Sequence, residues 1–236
     1  MMLADYRSRW LLPVVMLVVA LQLSACGDKD KDARQAFITF LQGISQQEGR
    51  QLPTLSEQQK QSFGRFTQDY AVMTSFNQQL DQALAGSLTP VLDVVSHIRV
   101  PQDYMTQRDN LRQALGGLTM LSPQVQNAKT QADNARRALK QPEELQTVYD
   151  KVYNRAVSLP ANAMVTVVPA STSFAQSVIQ VGDYLQAQGN QVVFGNNGVQ
   201  FHTQQQVDQY NSLMTDIASQ QQKLFTTLKS QNFLPH

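Results

Sequence analysis

The sequence predicts a mainly α protein, an elongated bundle of long amphipathic helices with one small β-hairpin at about residues 191–202. Three observations carry this reading. Apolar residues recur at alternating steps of three and four over most of the chain, helix-capping signals stand at Ser56 and Thr203, and a single stretch, Gln191 to His202, joins β-branched and aromatic residues around a turn dipeptide. Composition narrows the function before any motif does. The 236 residues include 19 Lys plus Arg against 18 Asp plus Glu, a net charge of +1. Charged residues make up 16%, against a usual share of roughly 25%. Gln fills the gap, at roughly one residue in seven, so the surface is polar but weakly charged. Nucleic acid is not expected as a partner, because no basic excess is present to release phosphate counterions. The single Cys excludes an intrachain disulfide framework and any Cys-based zinc or iron–sulfur site.

Residues 1–25 read as a lipoprotein signal peptide. Arg7 and Arg9 form a positive n-region, and Leu11 to Leu21 form an apolar stretch interrupted by Pro13. That stretch is shorter than the about 20 apolar residues needed to cross a bilayer. Leu23-Ser24-Ala25-Cys26 follows and matches the bacterial lipobox: a branched aliphatic, two small residues, then the thiol that forms a thioether to diacylglycerol. The lipobox predicts cleavage before Cys26, N-acylation (typically palmitate) and S-diacylglycerol attachment at that residue. A buried methylene contributes about 0.8 kcal/mol, so one chain holds marginally and two or three hold firmly. Gly27 and Asp28 are the sorting positions. Gly27 occupies the place where Asp retains enterobacterial lipoproteins in the inner membrane, which favours the outer membrane, with the body facing the periplasm. Cleavage removes Arg7, Arg9 and Asp5, leaving 17 basic and 17 acidic side chains of the original 19 and 18. Attachment is then to membrane lipid through Cys26, without electrostatic docking.

Residues 26–32 are expected to serve as acylated Cys and tether, and residues 33–236 as a single helical periplasmic domain. Phe37, Phe40, Leu41 and Ile44 mark a first helix, closed by Gly49 and Pro53. Ser56 with Gln59 opens a long helix whose stripe runs Phe63, Phe66, Tyr70, Met73, Asn77, Leu80 and Leu84. Asn77 there is either a register-fixing polar seam residue or a partly exposed flank. Thr89-Pro90 reads as an N-cap and first helical position for Val91 to His97, ended by Pro101. A helical region from about Asp103 to Lys140 has Leu111, Leu115, Leu118, Leu121, Val125, Ala128, Ala132, Ala135 and Leu139 on its inner face. Gly116-Gly117 and Pro123 place a kink or break near Ser122. Helices at about Pro142 to Val157 and Ala170 to Gln188 are expected on either side of the Pro160 to Pro169 stretch. Asn197-Gly198 suits a type I′ turn, which sets Phe194 opposite Phe201. Thr203 with Gln206 opens a last helix carrying Val207, Tyr210, Leu213, Met214, Ile217, Leu224, Phe225 and Leu228.

The chain offers little visible chemistry. His97, His202 and His236 share no metal-ligand spacing, so no metal or other cofactor is expected. Ser96 lacks a nucleophile elbow, and its neighbour His97 points about 100° away on a helix. Glu143-Glu144 suit the first turn of a helix better than a glycosidase pair. Gly195-Asn196-Asn197-Gly198 lacks the flanks of a phosphate cradle. Tyr104, Tyr149, Tyr153, Tyr184 and Tyr210 are helix-packing residues or, alternatively, a groove for carbohydrate or peptide. Gln204 to Gln206 and Gln220 to Gln222 form a solvated face or an uncharged partner surface.

The lipobox together with Ala36-Phe37-Ile38-Thr39-Phe40-Leu41-Gln42, Leu52-Pro53-Thr54-Leu55, Ile98-Arg99-Val100-Pro101-Gln102-Asp103-Tyr104, Val181-Gly182-Asp183-Tyr184 and Asn197-Gly198-Val199-Gln200-Phe201 resembles the YiaF-like uncharacterised lipoproteins of enteric bacteria. The resemblance covers nearly the whole chain after the signal segment. It implies a lipid-anchored envelope protein of enterobacterial type and transfers one site residue, Cys26. The expected function is that of a non-enzymatic lipoprotein serving as an interaction or structural module at the outer membrane, with an envelope protein or the cell wall as partner. The alternatives are a small-molecule or glycan-binding lipoprotein (or a hydrolase without a familiar motif) with a pocket near Tyr184, Phe201 and His202, and a surface-exposed factor acting between cells.

Overall fold

The computed structural model describes residues 29–47, 49–195, 198–231 and 233. The lipobox Leu23 to Cys26 and the sorting positions Gly27 and Asp28 lie outside them. The fold is mainly α with one two-stranded antiparallel hairpin among the described residues, as the periodicity predicts. Among the described residues no helix is long and apolar enough to cross a membrane.

Helix α1 covers residues 29–45, so residues 29–32, expected as tether, are already helical. Its apolar face buries Phe37, Ile38, Leu41 and Ile44. The expected long second helix is divided. Helix α2 spans Glu57–Phe63 behind the Ser56–Gln59 capping box, and Gly64 at φ 52° ends it. Only glycine adopts that left-handed backbone without strain. Helix α3 spans Phe66–Ser87. The stripe survives the break: Phe63, Phe66, Tyr70, Met73, Asn77 and Leu80 are all buried.

Helix α4 spans Thr89–Ser96, capped by Leu88 and not by Thr89. The Thr89 hydroxyl instead donates back to the Leu84 carbonyl at 3.3 Å. Helix α5 spans Pro101–Leu118. Proline opens it because a first-turn residue needs no N–H partner, and Asp103 Oδ2 accepts the Arg99 and Val100 N–H groups at 2.7 and 2.9 Å. Helix α6 spans Leu121–Ala138. The predicted break falls at Thr119–Met120, slightly before Ser122, which lets Pro123 sit in the first turn of α6, where proline is tolerated. Leu111, Leu118, Leu121, Val125, Ala128 and Ala132 are buried as expected, while Ala135 is exposed.

Helix α7 spans Glu143–Tyr153, followed by a π-helical turn, Asn154–Ser158. Helix α8 then runs without interruption over Leu159–Gln188. The Pro160 to Pro169 stretch, expected to separate two helices, is therefore helical: Pro160 lies in the first turn and Pro169 is carried inside the helix. Burial of Ala161, Ala163, Met164, Val167 and Ala170 explains why packing outweighs proline here. A 3₁₀ turn, Gly189–Gln191, leads to β1, Val192–Gly195, and β2, Gly198–Phe201. Helix α9 spans Gln204–Ser230 behind the predicted Thr203–Gln206 capping box. It buries Ile217 and Leu224, but Phe225, expected on its inner face, is 57% exposed.

The hairpin register differs from the expected one. Phe194 pairs with Val199, Val192 pairs with Phe201 and Gly195 closes on Gly198, so the loop is residues 196–197 and not Asn197-Gly198. Those two loop residues lie outside the described set. A shift of this size keeps Phe194 and Phe201 on one face of the ribbon, because faces alternate with period two.

The described residues fall into two compact units. The smaller comprises α1 (with the rest of 29–47), Pro53–Ala71 and Leu139–Val152. Its core is aromatic: Phe37 meets the rings of Phe63, Phe66 and Tyr70 at 5.4, 5.9 and 6.4 Å. The larger comprises Glu48–Leu52, Val72–Ala138 and the chain from Tyr153 onward. Helix α8 is its central element and packs against α5, α6 and α9. Apolar and small residues on most sides of α8 meet that requirement.

Candidate functional site

A groove of the larger unit lies between α3 and α6. The α5–α6 break creates it: Gly117 and Met120 at the corner, with Gly86, Ser87 and Ala83 of α3, leave a groove of about 550 Å³ floored by small residues. A Cβ on Gly117 would make ordinary van der Waals contact, 3.7 Å, with the Gly86 carbonyl oxygen, and one on Gly86 would meet nothing within 4 Å. The walls carry carboxamides: Gln79 and Gln82 on α3, and Gln124, Asn127 and Gln131 on α6. No charged side chain lines the groove. Gln79 Nε2 donates to Ser75 Oγ at 3.4 Å. The other four make no side-chain hydrogen bond to a described residue.

Near it, Asn77 resolves the question its position posed. It is buried. Its Nδ2 donates to the Met73 and Ala156 carbonyls at 3.2 and 3.3 Å, and its Oδ1 accepts from Arg50 at 3.4 Å. Ala156 lies in the π-helical turn. A π turn displaces carbonyls from the regular ladder, and Asn77 supplies Ala156 with a donor from α3. The polar seam is thus tied to the helix irregularity.

A second polar cluster, half-buried, lies between α6 and the start of the π turn. The Tyr153 hydroxyl donates to Asp133 Oδ1 at 2.6 Å, Lys129 Nζ donates to Asp133 Oδ2 at 2.6 Å, and the Arg136 guanidinium covers the Tyr153 ring at 4.6 Å. Burial works to lift the Asp133 carboxyl, but the bonds from Lys129 and Tyr153 outweigh it and hold Asp133 below its ordinary value. Burial and the same bond to Asp133 push the Tyr153 phenol far up. These are satisfied structural partners.

The tyrosines do not share one groove. Tyr149, in the smaller unit, is fully buried and donates to the Asp69 carbonyl at 2.8 Å. Tyr153 is buried as described. Tyr184 packs on Phe201 at 6.0 Å, and Phe201 on Tyr210 at 5.3 Å. The Tyr184 hydroxyl is taken by the Gln206 carbonyl at 2.8 Å. The rings of Tyr184, Phe201 and Tyr210 thus pack on one another in tilted contacts where the alternative reading places a pocket. Burial raises the Tyr104 and Tyr210 phenols.

The remaining candidates are accounted for locally. His97 Nδ1 and Ser96 Oγ each lie 2.7 Å from the Asp93 carbonyl oxygen. The His202 N–H donates to Gln206 Oε1 at 3.1 Å, and His236 lies outside the described residues. Glu143 and Glu144 occupy the first turn of α7, where Glu144 pairs with Arg34 at 2.8 Å. Among the described residues no three of His, Cys, Asp and Glu gather as metal ligands would. In the Gln run at 204–206, Gln204 and Gln205 are exposed as a solvated face would be, while Gln206 Nε2 donates to Gln188 and Gln191 at 2.8 and 2.6 Å. The groove carboxamides at 82, 124, 127 and 131, which make no side-chain hydrogen bond to a described residue, were not singled out by the sequence reading. Their signal was present: positions 124, 127 and 131 follow the i, i+3, i+7 spacing of one helix face.

A family model described as a protein of unknown function, DUF3053, matches residues 14–232. The chain belongs to this family. It is 46% identical over 215 residues to the uncharacterized protein YiaF of Escherichia coli K12, an alignment covering 91% of each chain. The YiaF proteins of Escherichia coli O157:H7 and Shigella flexneri match to the same extent. The resemblance read from the scattered motifs is therefore correct. No solved structure matches the chain.

Proposed function

We propose that this DUF3053 member is a lipid-anchored protein of the bacterial cell envelope that works without catalysis, as an interaction module held at the outer membrane with its helical body in the periplasm. One observation carries the reading: Leu23-Ser24-Ala25-Cys26 stands directly behind a positive n-region and an apolar stretch too short to span. Acylation of Cys26 by two or three chains supplies an attachment that electrostatics need not assist. The side chains of Ser96, His97, Glu144, Tyr149, Tyr153 and Tyr184 are engaged in local hydrogen bonds, an ion pair and core packing, which supports a binding role over a chemical one.

The test is metabolic labelling of the full-length chain with an alkynyl fatty acid in an enteric host. The parent should label and Cys26→Ala should not; label persisting on Cys26→Ala would sink the anchor. Sorting is read by membrane fractionation, where Gly27→Asp should move the protein from outer to inner membrane. Crosslinking in intact cells should then trap one reproducible partner, and diffuse capture would count against an interaction module.

A further inference from the structure

We propose that the groove between α3 and α6 is a binding site for a neutral saccharide of two or three units. This does not depend on the lipid anchor. The groove holds no charged side chain, so an ionic ligand entering it would lose hydration without gaining a counter-charge. A neutral one loses nothing comparable. Each free carboxamide at positions 82, 124, 127 and 131 presents two donors and an acceptor, and each sugar hydroxyl both donates and accepts. Vicinal hydroxyls therefore pair with side-chain amides without leaving either partner unmatched.

The spacing sets the size. Positions 124, 127 and 131 spread over about 10 Å along α6 at 1.5 Å per residue, the reach of two linked pyranose rings. The volume of about 550 Å³ falls within the roughly 300–1,000 Å³ of small-molecule sites. Ala83, Gly86, Gly117 and Ala128 keep the floor low, and a Cβ on Gly86 would meet nothing within 4 Å. A peptide would need apolar side-chain pockets, whereas the lining offers one long apolar side chain, the exposed Met120. That flexible thioether at the rim suits the apolar face of a pyranose.

The experiment titrates the ¹⁵N-labelled full-length chain, in a sugar-free zwitterionic detergent, with chitotriose and in parallel with N-acetyl-triglycine amide. Side-chain carboxamide resonances are followed and assigned by their loss in Gln82→Ala, Gln124→Ala, Asn127→Ala and Gln131→Ala. Chitotriose should shift those four sets with a Kd on the order of 1 mM, unchanged when salt is raised. Gln124→Ala with Asn127→Ala should weaken binding about tenfold. Gly86→Leu, which fills the groove from a helical position with open space around it, should abolish binding while the far-UV spectrum is kept and Tm does not fall. Three results would overturn the proposal: chitotriose leaving these resonances unmoved, Gly86→Leu binding as the parent does, or the tripeptide amide binding more tightly than the sugar.

Discussion

Gly182 on α8 lies directly against the backbone carbonyl of Tyr104 on α5, with no room for a side chain between them. A Cβ there would drive into that carbonyl oxygen and come within 3.3 Å of the Arg108 Cβ. Neither backbone can yield without moving its helix, so Gly182→Ala is expected to lower stability by about 1–3 kcal/mol. Gly86 is the contrasting case: it sits in α3 with open space at its Cβ position. Gly86→Ala should therefore raise stability by about 0.5–1 kcal/mol through helix propensity. Urea midpoints should move in opposite directions, and a common direction would contradict this account of the α5–α8 crossing.

Asn77 predicts a cost that hydrophobic substitution does not recover. Asn77→Leu adds apolar volume to a buried seam, but it leaves the Ala156 carbonyl of the π turn without its donor and Arg50 without one acceptor. A loss of about 1–3 kcal/mol is expected for Asn77→Leu and for Asn77→Ala alike. A stabilised Asn77→Leu protein in urea denaturation would show the seam to be a polar residue merely tolerated.

Asp133 gives a pH dependence with a definite sign. Its carboxyl is held low in the fold, so its contribution is present above the unfolded value of about 3.9 and is lost as pH falls through the folded value. Tyr153→Phe removes one of the bonds responsible. It should cost about 1 kcal/mol near neutrality and less once the pH has fallen below the folded-state value of Asp133, where the carboxyl is protonated in both states. The two urea curves should converge on acidification, and a constant gap would refute the coupling.

Phe201 lies between Tyr184 and Tyr210 at 6.0 and 5.3 Å. Phe201→Ala should cost about 1–3 kcal/mol, from two ring contacts of about 0.5–1.5 kcal/mol each, and should speed amide exchange across β1 and β2. Val193 on the same hairpin is exposed, so Val193→Ala should stay within about 0.5 kcal/mol. Equal effects at the two positions would mean that the cluster does not hold the hairpin.

The sequence announced the capping boxes at Ser56 and Thr203 because each is a local pattern of four residues whose hydrogen bonds close on themselves. It announced the stripe from Phe63 to Leu80 because burial of one helix face is periodic. It did not announce the break at Gly64, since a glycine within a helical pattern declares its left-handed φ only once the neighbouring helices fix the path. The hairpin register was misread for a related reason: Asn197-Gly198 is a good turn dipeptide, yet the strands settle where Phe201 meets Tyr184 and Tyr210, side chains from α8 and α9. The groove was illegible because its walls come from segments about 40 residues apart, and free carboxamides resemble any solvated face until the helices are set side by side.

What the sequence determined by itself is the helical class, the capped helix starts, the single hairpin and the family, all of which rest on local pattern or on similarity along the chain. Tertiary structure alone decided the rest. It carried Pro169 inside a continuous α8, buried Asn77 against the π turn, demanded glycine at 182 opposite Tyr104, and left four carboxamides facing an open groove. Each depends on which atoms from distant segments arrive within a few ångströms of one another, and local propensity does not encode that.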